Sequence, residues 1–151
     1  NTPRNDERLH FKSYFVDQLA VLLAGYATEM KIYGEVTSGA SNDLKRATDI
    51  ARKIVTKFGM SDLGPITYGS DQEKVFLGKE FHDQSEYSDK MAEKIDNEVQ
   101  KVIDKAWKIS TETIDKNEKV LKKITEELLE KETIEKERFD EIVGEVKKEK
   151  K

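Results

Sequence analysis

Gly34-Glu35-Val36-Thr37-Ser38-Gly39-Ala40-Ser41-Asn42-Asp43-Leu44 leads directly into a run that closes at Phe58-Gly59-Met60. The spacing of Leu44, Ala47, Ile50, Ala51, Ile54, Val55 and Phe58 predicts an amphipathic helix from about Ser41 to Phe58. Ser41 or Asn42 is the natural N-cap, because either side chain accepts a backbone N–H two or three residues on. Gly59 suits the position just past the C-cap. This reading puts Asp43 in the first turn of a helix, behind a Gly/Ser-rich loop and near the positive end of the helix dipole. A carboxylate so placed suits either of two roles, metal ligand or ordinary helix-starting residue. Spacing alone favours the ordinary one, since acidic residues are common in first turns.

Upstream, apolar residues between Phe11 and about Met30 crowd more than one face: Phe15, Val16, Leu19, Val21, Leu22, Leu23 and Ala27. They predict a core-buried helix, with Glu29 and Lys31 at its polar end and Gly34 at its exit. Downstream, residues 60–87 are the least helical part. Leu63–Gly69 and Val75–Gly78 predict very short strands, and 79–87 a loop. A long third helix is expected after Ser88, with Asp89 in its first turn and a stripe of Met91, Ile95, Val99, Val102, Ile103 and Ala106. It should reach about Ile114. The pattern restarts at Asn117 with Val120, Leu121, Ile124, Leu128 and Leu129. Thr133 is expected to cap a short last helix carrying Phe139, Ile142 and Val143, so that the tail is a hairpin-like pair of helices, the third and the fourth, plus a short closing helix.

The fold class is therefore mainly α, a helical bundle with one or two short strands around 64–78. One domain spans residues 1–151: a part over 1–87, a C-terminal helical part over 88–146 and a charged tail over 147–151. Charged residues make up 38% and hydrophobic ones 36% of the 151, a balance that suits helices burying one stripe each. The net charge of −4 makes no case for nucleic acid, and the aromatic residues do not alternate with a basic stripe. There is no cysteine, so disulfides and thiolate zinc sites are excluded. No apolar run reaches the roughly 20 residues needed to span a bilayer.

Most catalytic chemistries find no support. His10 and His82 lack partners at metal-ligand spacing and read as surface residues. There is no G-x-S-x-G elbow, and no Gly-Lys-Ser/Thr follows Gly34 and Gly39. Glu29 reads as a solvated or salt-bridged helix residue. The residues alone thus describe a helical domain with one carboxylate of interest, Asp43.

A resemblance changes that balance. Ala24-Gly25-Tyr26-Ala27-Thr28-Glu29 and Gly34 to Leu44 resemble the G-G-R-A-A-E…G-E-V-T-T-G-A-S-N-D-[IL] signature of the FtsH-type ATP-dependent zinc metalloproteases. Ordered matches continue at Ala47-Thr48, Gly59-Met60-Ser61, Leu63-Gly64-Pro65, Tyr68-Gly69, Val75–Gly78, Tyr87-Ser88, Ile95–Val99 and Leu128–Ile134. Tyr26 stands in place of the arginine of that signature, and Met30 in place of a second acid.

The resemblance implies the C-terminal part of a mostly helical peptidase domain. It implies a parent with an AAA ATPase domain that uses ATP, a homo-hexameric ring, and membrane segments upstream that anchor it with the peptidase on the cytoplasmic side or its organellar equivalent. Its substrates would be proteins, in the service of protein quality control. It implies a zinc held by two histidines of an H-E-x-x-H helix and by the aspartate that aligns with Asp43. Glu29 aligns with an acidic position near the site, not a ligand, since such a site takes three protein ligands plus water. The H-E-x-x-H helix is absent here, and residue 1 is expected to fall some tens of residues after it. No catalytic residue is therefore expected in this chain, which by itself should hold no metal and cleave nothing. The alternative is a non-catalytic scaffold or oligomerisation module from a degenerate relative.

Overall fold

The computed structural model describes residues 9–69 and 87–149. Five α-helices follow in order: α1 (Lys12–Tyr33), α2 (Ser41–Thr56), α3 (Asp89–Lys116), α4 (Glu118–Lys131) and α5 (Lys136–Glu149). The chain is mainly α, and the described residues contain no strand. The expected strand at 63–69 is instead a set of turns. Gly64 and Gly69 take φ +94° and +96°, and the Tyr68 N–H donates to the Thr56 carbonyl at 2.8 Å rather than to a strand partner. The second expected strand, 75–78, and most of the 79–87 loop lie outside the described residues.

α1, α2 and α3 pack on one another around a single apolar core. Leu19 of α1, Ala47, Ala51, Ile54 and Val55 of α2, and Ile95 and Ala106 of α3 are wholly buried. The alanines let the helix axes approach, and the branched residues fill the space between them. The core stripe of α1 is Val16, Leu19, Ala20, Leu23 and Ala27, one face at helical spacing. Val21, expected in the core, is 75% exposed. It lies off that stripe, so α1 buries one face only, and its outward face still carries exposed apolar residues such as Val21 and Ile32.

α2 ends two residues before Phe58, which stays half-exposed and stacks on Phe15 with ring centroids 5.1 Å apart. Gly59, at φ +61°, then turns the chain back over the end of α2. Met60, Leu63 and Tyr68 pack on the core from that return. Glu98 of α3, itself buried, fastens it by accepting the Asp62 N–H at 3.2 Å. The Lys101 ammonium beside Glu98 holds its carboxyl below the usual carboxylate range, against the opposing effect of burial, and Lys101 is raised in turn.

Ser88 caps α3 as expected, its hydroxyl accepting the Met91 N–H at 3.3 Å. Asn117 alone separates α3 from α4; its N–H reaches the carbonyls of Thr113 and Ile114, both at 3.2 Å. α4 packs mainly on α5 and little on α3, so the hairpin of the tail is α4–α5 rather than α3–α4. Its apolar centre is Val120 and Ile142, flanked by Ile124, Ile134 and Val143. α5 starts at Lys136, three residues beyond the expected cap Thr133, because Glu132 takes the left-handed φ of +60° that ends α4 and the chain must recover from that turn. Phe139 is 44% exposed.

Candidate functional site

The segment around Asp43 is assembled from α1 backwards. Gly34, at φ +72°, stops α1 with its N–H on the Met30 carbonyl at 3.1 Å and reverses the chain. The reversal brings Thr37 back to Glu29, one turn before the end of α1. Glu29 accepts the Thr37 N–H on Oε2 at 2.7 Å and the Thr37 hydroxyl on Oε1 at 3.1 Å. The same hydroxyl accepts the Gly39 N–H at 3.1 Å. A Cβ at residue 39 would lie 3.1 Å from that oxygen, a tight approach that glycine avoids.

Residues Ser38–Ala40 form one 3-10 turn, closed by the Ser41 N–H on the Ser38 carbonyl, which runs without a break into α2. Ser41 is therefore already helical and is not the N-cap, and neither is Asn42. The N-cap of α2 is Ala40, with no side-chain cap; Thr37, four residues before Ser41, caps the preceding 3-10 turn instead. Ala40 is buried, and Leu44 packs partly against the core.

Asp43 lies in the first turn of α2 as expected, a full turn deeper than the capping donors. Its side chain is 47% exposed, and its Oδ1 lies 3.8 Å from Arg46 Nη1, one turn along the same helix. Arg46 also lines an open groove of about 370 Å³ between α1 and α2, bounded further by Tyr14, Gln18, Val21 and Ile50. His10, at one end of α1, stacks on Tyr14 with ring centroids 3.8 Å apart; His82 lies outside the described residues.

The donor set fits zinc only in part. Asp43 offers an accessible carboxylate of suitable chemistry. Among the described residues no three of His, Cys, Asp and Glu come together, and Glu29 spends both oxygens on Thr37. Among the described residues Asp43 therefore stands as a single accessible carboxylate, and Glu29 holds the loop in front of it. Two residues escaped the reading of the sequence. Thr37 is recognisable as a cap only once Gly34 has folded it back onto Glu29. Glu98 has the expected helical spacing but no local sign of its burial.

The family model of Peptidase family M41 matches residues 1–142. The ATP-dependent zinc metalloprotease FtsH of Thermotoga maritima is 44% identical over 144 residues, which cover 95% of this chain and 24% of that relative. The enzyme of the same name from Kosmotoga olearia is 44% identical over 143 residues, 94% of this chain and 22% of the relative. ATP-dependent zinc metalloprotease FtsH 1 of Conexibacter woesei is 40% identical over 142 residues, 93% and 22% respectively. The chain therefore spans about a quarter of the length of these relatives. With nearly its whole length matched and the loop before Asp43 folded as described, the chain belongs to Peptidase family M41.

Proposed function

We propose that this chain is the C-terminal portion of the proteolytic domain of a membrane-anchored, ATP-dependent zinc metalloendopeptidase that degrades proteins, and that Asp43 supplies one of the metal-ligating oxygens. The observation that carries the reading is the family match over residues 1–142, which takes in the whole Gly34–Leu44 segment. The relatives' names supply zinc and ATP. The hexameric ring, the ATPase domain, the cytoplasmic placement and the membrane segments are proposals about the parent protein. No helix among the described residues is long and apolar enough to cross a membrane.

When bound, the metal supplies Lewis-acid activation of a water molecule and of the scissile carbonyl. This chain's residues do the positioning. α2 holds Asp43 at a partly exposed first turn, where the helix dipole favours a negative side chain. Arg46, at 3.8 Å and itself largely exposed, is too distant and too solvated to compete strongly with a divalent cation. Since zinc affinity comes from three or four ligands converging at once, one carboxylate does not retain the ion. The isolated chain is accordingly proposed to be metal-free and inactive.

In the full-length protease, Asp43→Ala is expected to abolish stoichiometric zinc, measured by elemental analysis, and with it the cleavage of casein. An Asp43→Ala protein that kept both would rule out the ligand role.

A further inference from the structure

An aspartate in the first turn of a helix has a competing use for its oxygens. The first backbone N–H groups of a helix lack intrahelical partners, and a nearby carboxylate readily takes them. An Asp43 bent back in that way would offer less of itself to a metal. Here no side chain caps α2 itself, and the donors of the turn leading into it are taken by other groups. The Gly39 N–H goes to the Thr37 hydroxyl, the Ser41 N–H to the Ser38 carbonyl, and the Thr37 N–H to Glu29.

Glu29 also orders the hydrogen bonding of that hydroxyl. An ionised carboxylate only accepts, so the single Thr37 O–H proton must point at Oε1 of Glu29. The oxygen's lone pairs are thereby left to the Gly39 N–H. Reversed, with the hydroxyl proton pointing inward, the cap would fail. From Thr37 onward, the 3-10 turn and α2 form one continuous spiral to Asp43 with no intervening loop. The later turns of α2 are held by Ala47, Ala51 and Ile54 in the core. The first turn lacks such an anchor beyond Ala40 and the partly buried Leu44, so it is the part that frays when the cap is lost.

We propose that Glu29 is a positioning residue for Asp43: by accepting both the N–H and the hydroxyl of Thr37, it fixes the 3-10 turn that runs into α2 and so holds the half-exposed Asp43 carboxylate in place for the metal. This rests on the ligand reading of Asp43 and adds a role that the alignment of Glu29 alone does not supply. It assigns Thr37 the middle place in a relay from α1 to α2.

The test uses the full-length protease, with Zn²⁺ affinity measured by competition against a chelator. Amide hydrogen exchange over residues 36–44 and 95–106 is followed on the metal-free protein. Glu29→Ala and Thr37→Val are each expected to weaken Zn²⁺ binding about 10- to 100-fold, the usual effect of losing a group that orients a metal ligand. The double substitution should weaken it no further than the worse single one. Glu29→Gln, which keeps a carbonyl oxygen for the Thr37 N–H, should recover part of the loss, and Thr37→Ser most of it. Exchange at Thr37 and Gly39 should accelerate in Glu29→Ala while residues 95–106 of α3 stay protected.

Unchanged zinc affinity in Glu29→Ala, with Asp43→Ala still losing the metal, overturns the proposal. So do additive losses in the double variant, or exchange that rises equally in α3, which marks a general loss of stability. Retention of zinc by Asp43→Ala overturns the ligand reading itself, and the positioning role falls with it.

Discussion

Ile54 is enclosed by apolar neighbours contributed by three helices, while Ile142 has little more than Val120 and a few partly buried residues around it. The three-helix body excludes water over a contiguous interior. The α4–α5 hairpin buries a much smaller centre and relies on charge at its edge. Arg138 of α5 places Nε 2.9 and 3.0 Å from the two oxygens of Glu127 of α4, while Lys131 approaches the same carboxylate at 2.8 Å. Arg138 also reaches Glu141 at 3.1 Å and Glu145 at 3.6 Å. Apolar burial scales with the area removed from water, whereas an ion pair whose arginine stays 41% exposed, over a carboxylate only 12% exposed, is still partly screened by salt and contributes less. The body that carries Asp43 is therefore the firmly held part, and the hairpin the conditional one.

The sharpest way to break that contrast is to truncate the two isoleucines. Ile54→Ala should destabilise the body by about 3 kcal/mol, and Ile142→Ala should cost about 2 kcal/mol, confined to the hairpin. Hydrogen exchange reads this directly: Ile142→Ala should open α4 and α5 while α1–α3 stay protected. Equal deprotection of all five helices would show a single cooperative unit instead.

A second comparison comes from acid. The Arg138 guanidinium, aided by Lys131, holds the Glu127 carboxyl at about 2, down from the ordinary 4.5. A depressed carboxyl stabilises the fold above its unfolded value. Its contribution is complete above pH 4.5, declines below that, and is gone once pH falls through about 2. Helical signal from α4–α5 should accordingly fade across that window, earlier in high salt, and Glu127→Gln should remove this part of the acid sensitivity. A hairpin insensitive to both substitution and salt would place its stability in the Val120–Ile142 centre.

The smallest expected effect sharpens the same comparison. Glu132 holds a φ of +60° at the end of α4, a conformation that costs a non-glycine residue roughly 1 kcal/mol. Glu132→Gly should raise the stability of the hairpin by somewhat less than that, since glycine also loses more entropy on folding. Urea denaturation followed at the hairpin would register it.

The body was the more legible half. The core positions of α2 and α3 follow from spacing alone, as do the Ser88 cap and the break at Asn117, because in each the signal lies within a few residues of the structure it directs. Thr37 lies within four residues of Ser41 and still escaped, since its capping role depends on Glu29 of another helix and on the chain reversal at Gly34. Local reading assigned the duty to Ser41 or Asn42 because both are good caps in isolation. Thr133 is a good cap in isolation for the same reason, but the left-handed turn at Glu132 delays the start of α5 to Lys136. Asp43 was located correctly in its helix, but its chemistry could not be read from the pattern. A ligand is defined by the groups it converges with, and the chain supplies only one of them.

Lys31 stands at the joint between the two halves. Its ammonium lies 2.7 Å from Asp115 at the end of α3 and 3.3 Å from Glu118 at the start of α4, one on each side of Asn117. α4, with 14 residues, extends about 21 Å from that joint, so a swing of about 10° at Asn117 displaces its tip by about 4 Å. A single ammonium thus acts as a strut at a pivot, and small angular play where it grips is magnified into a large excursion at the far end of the arm.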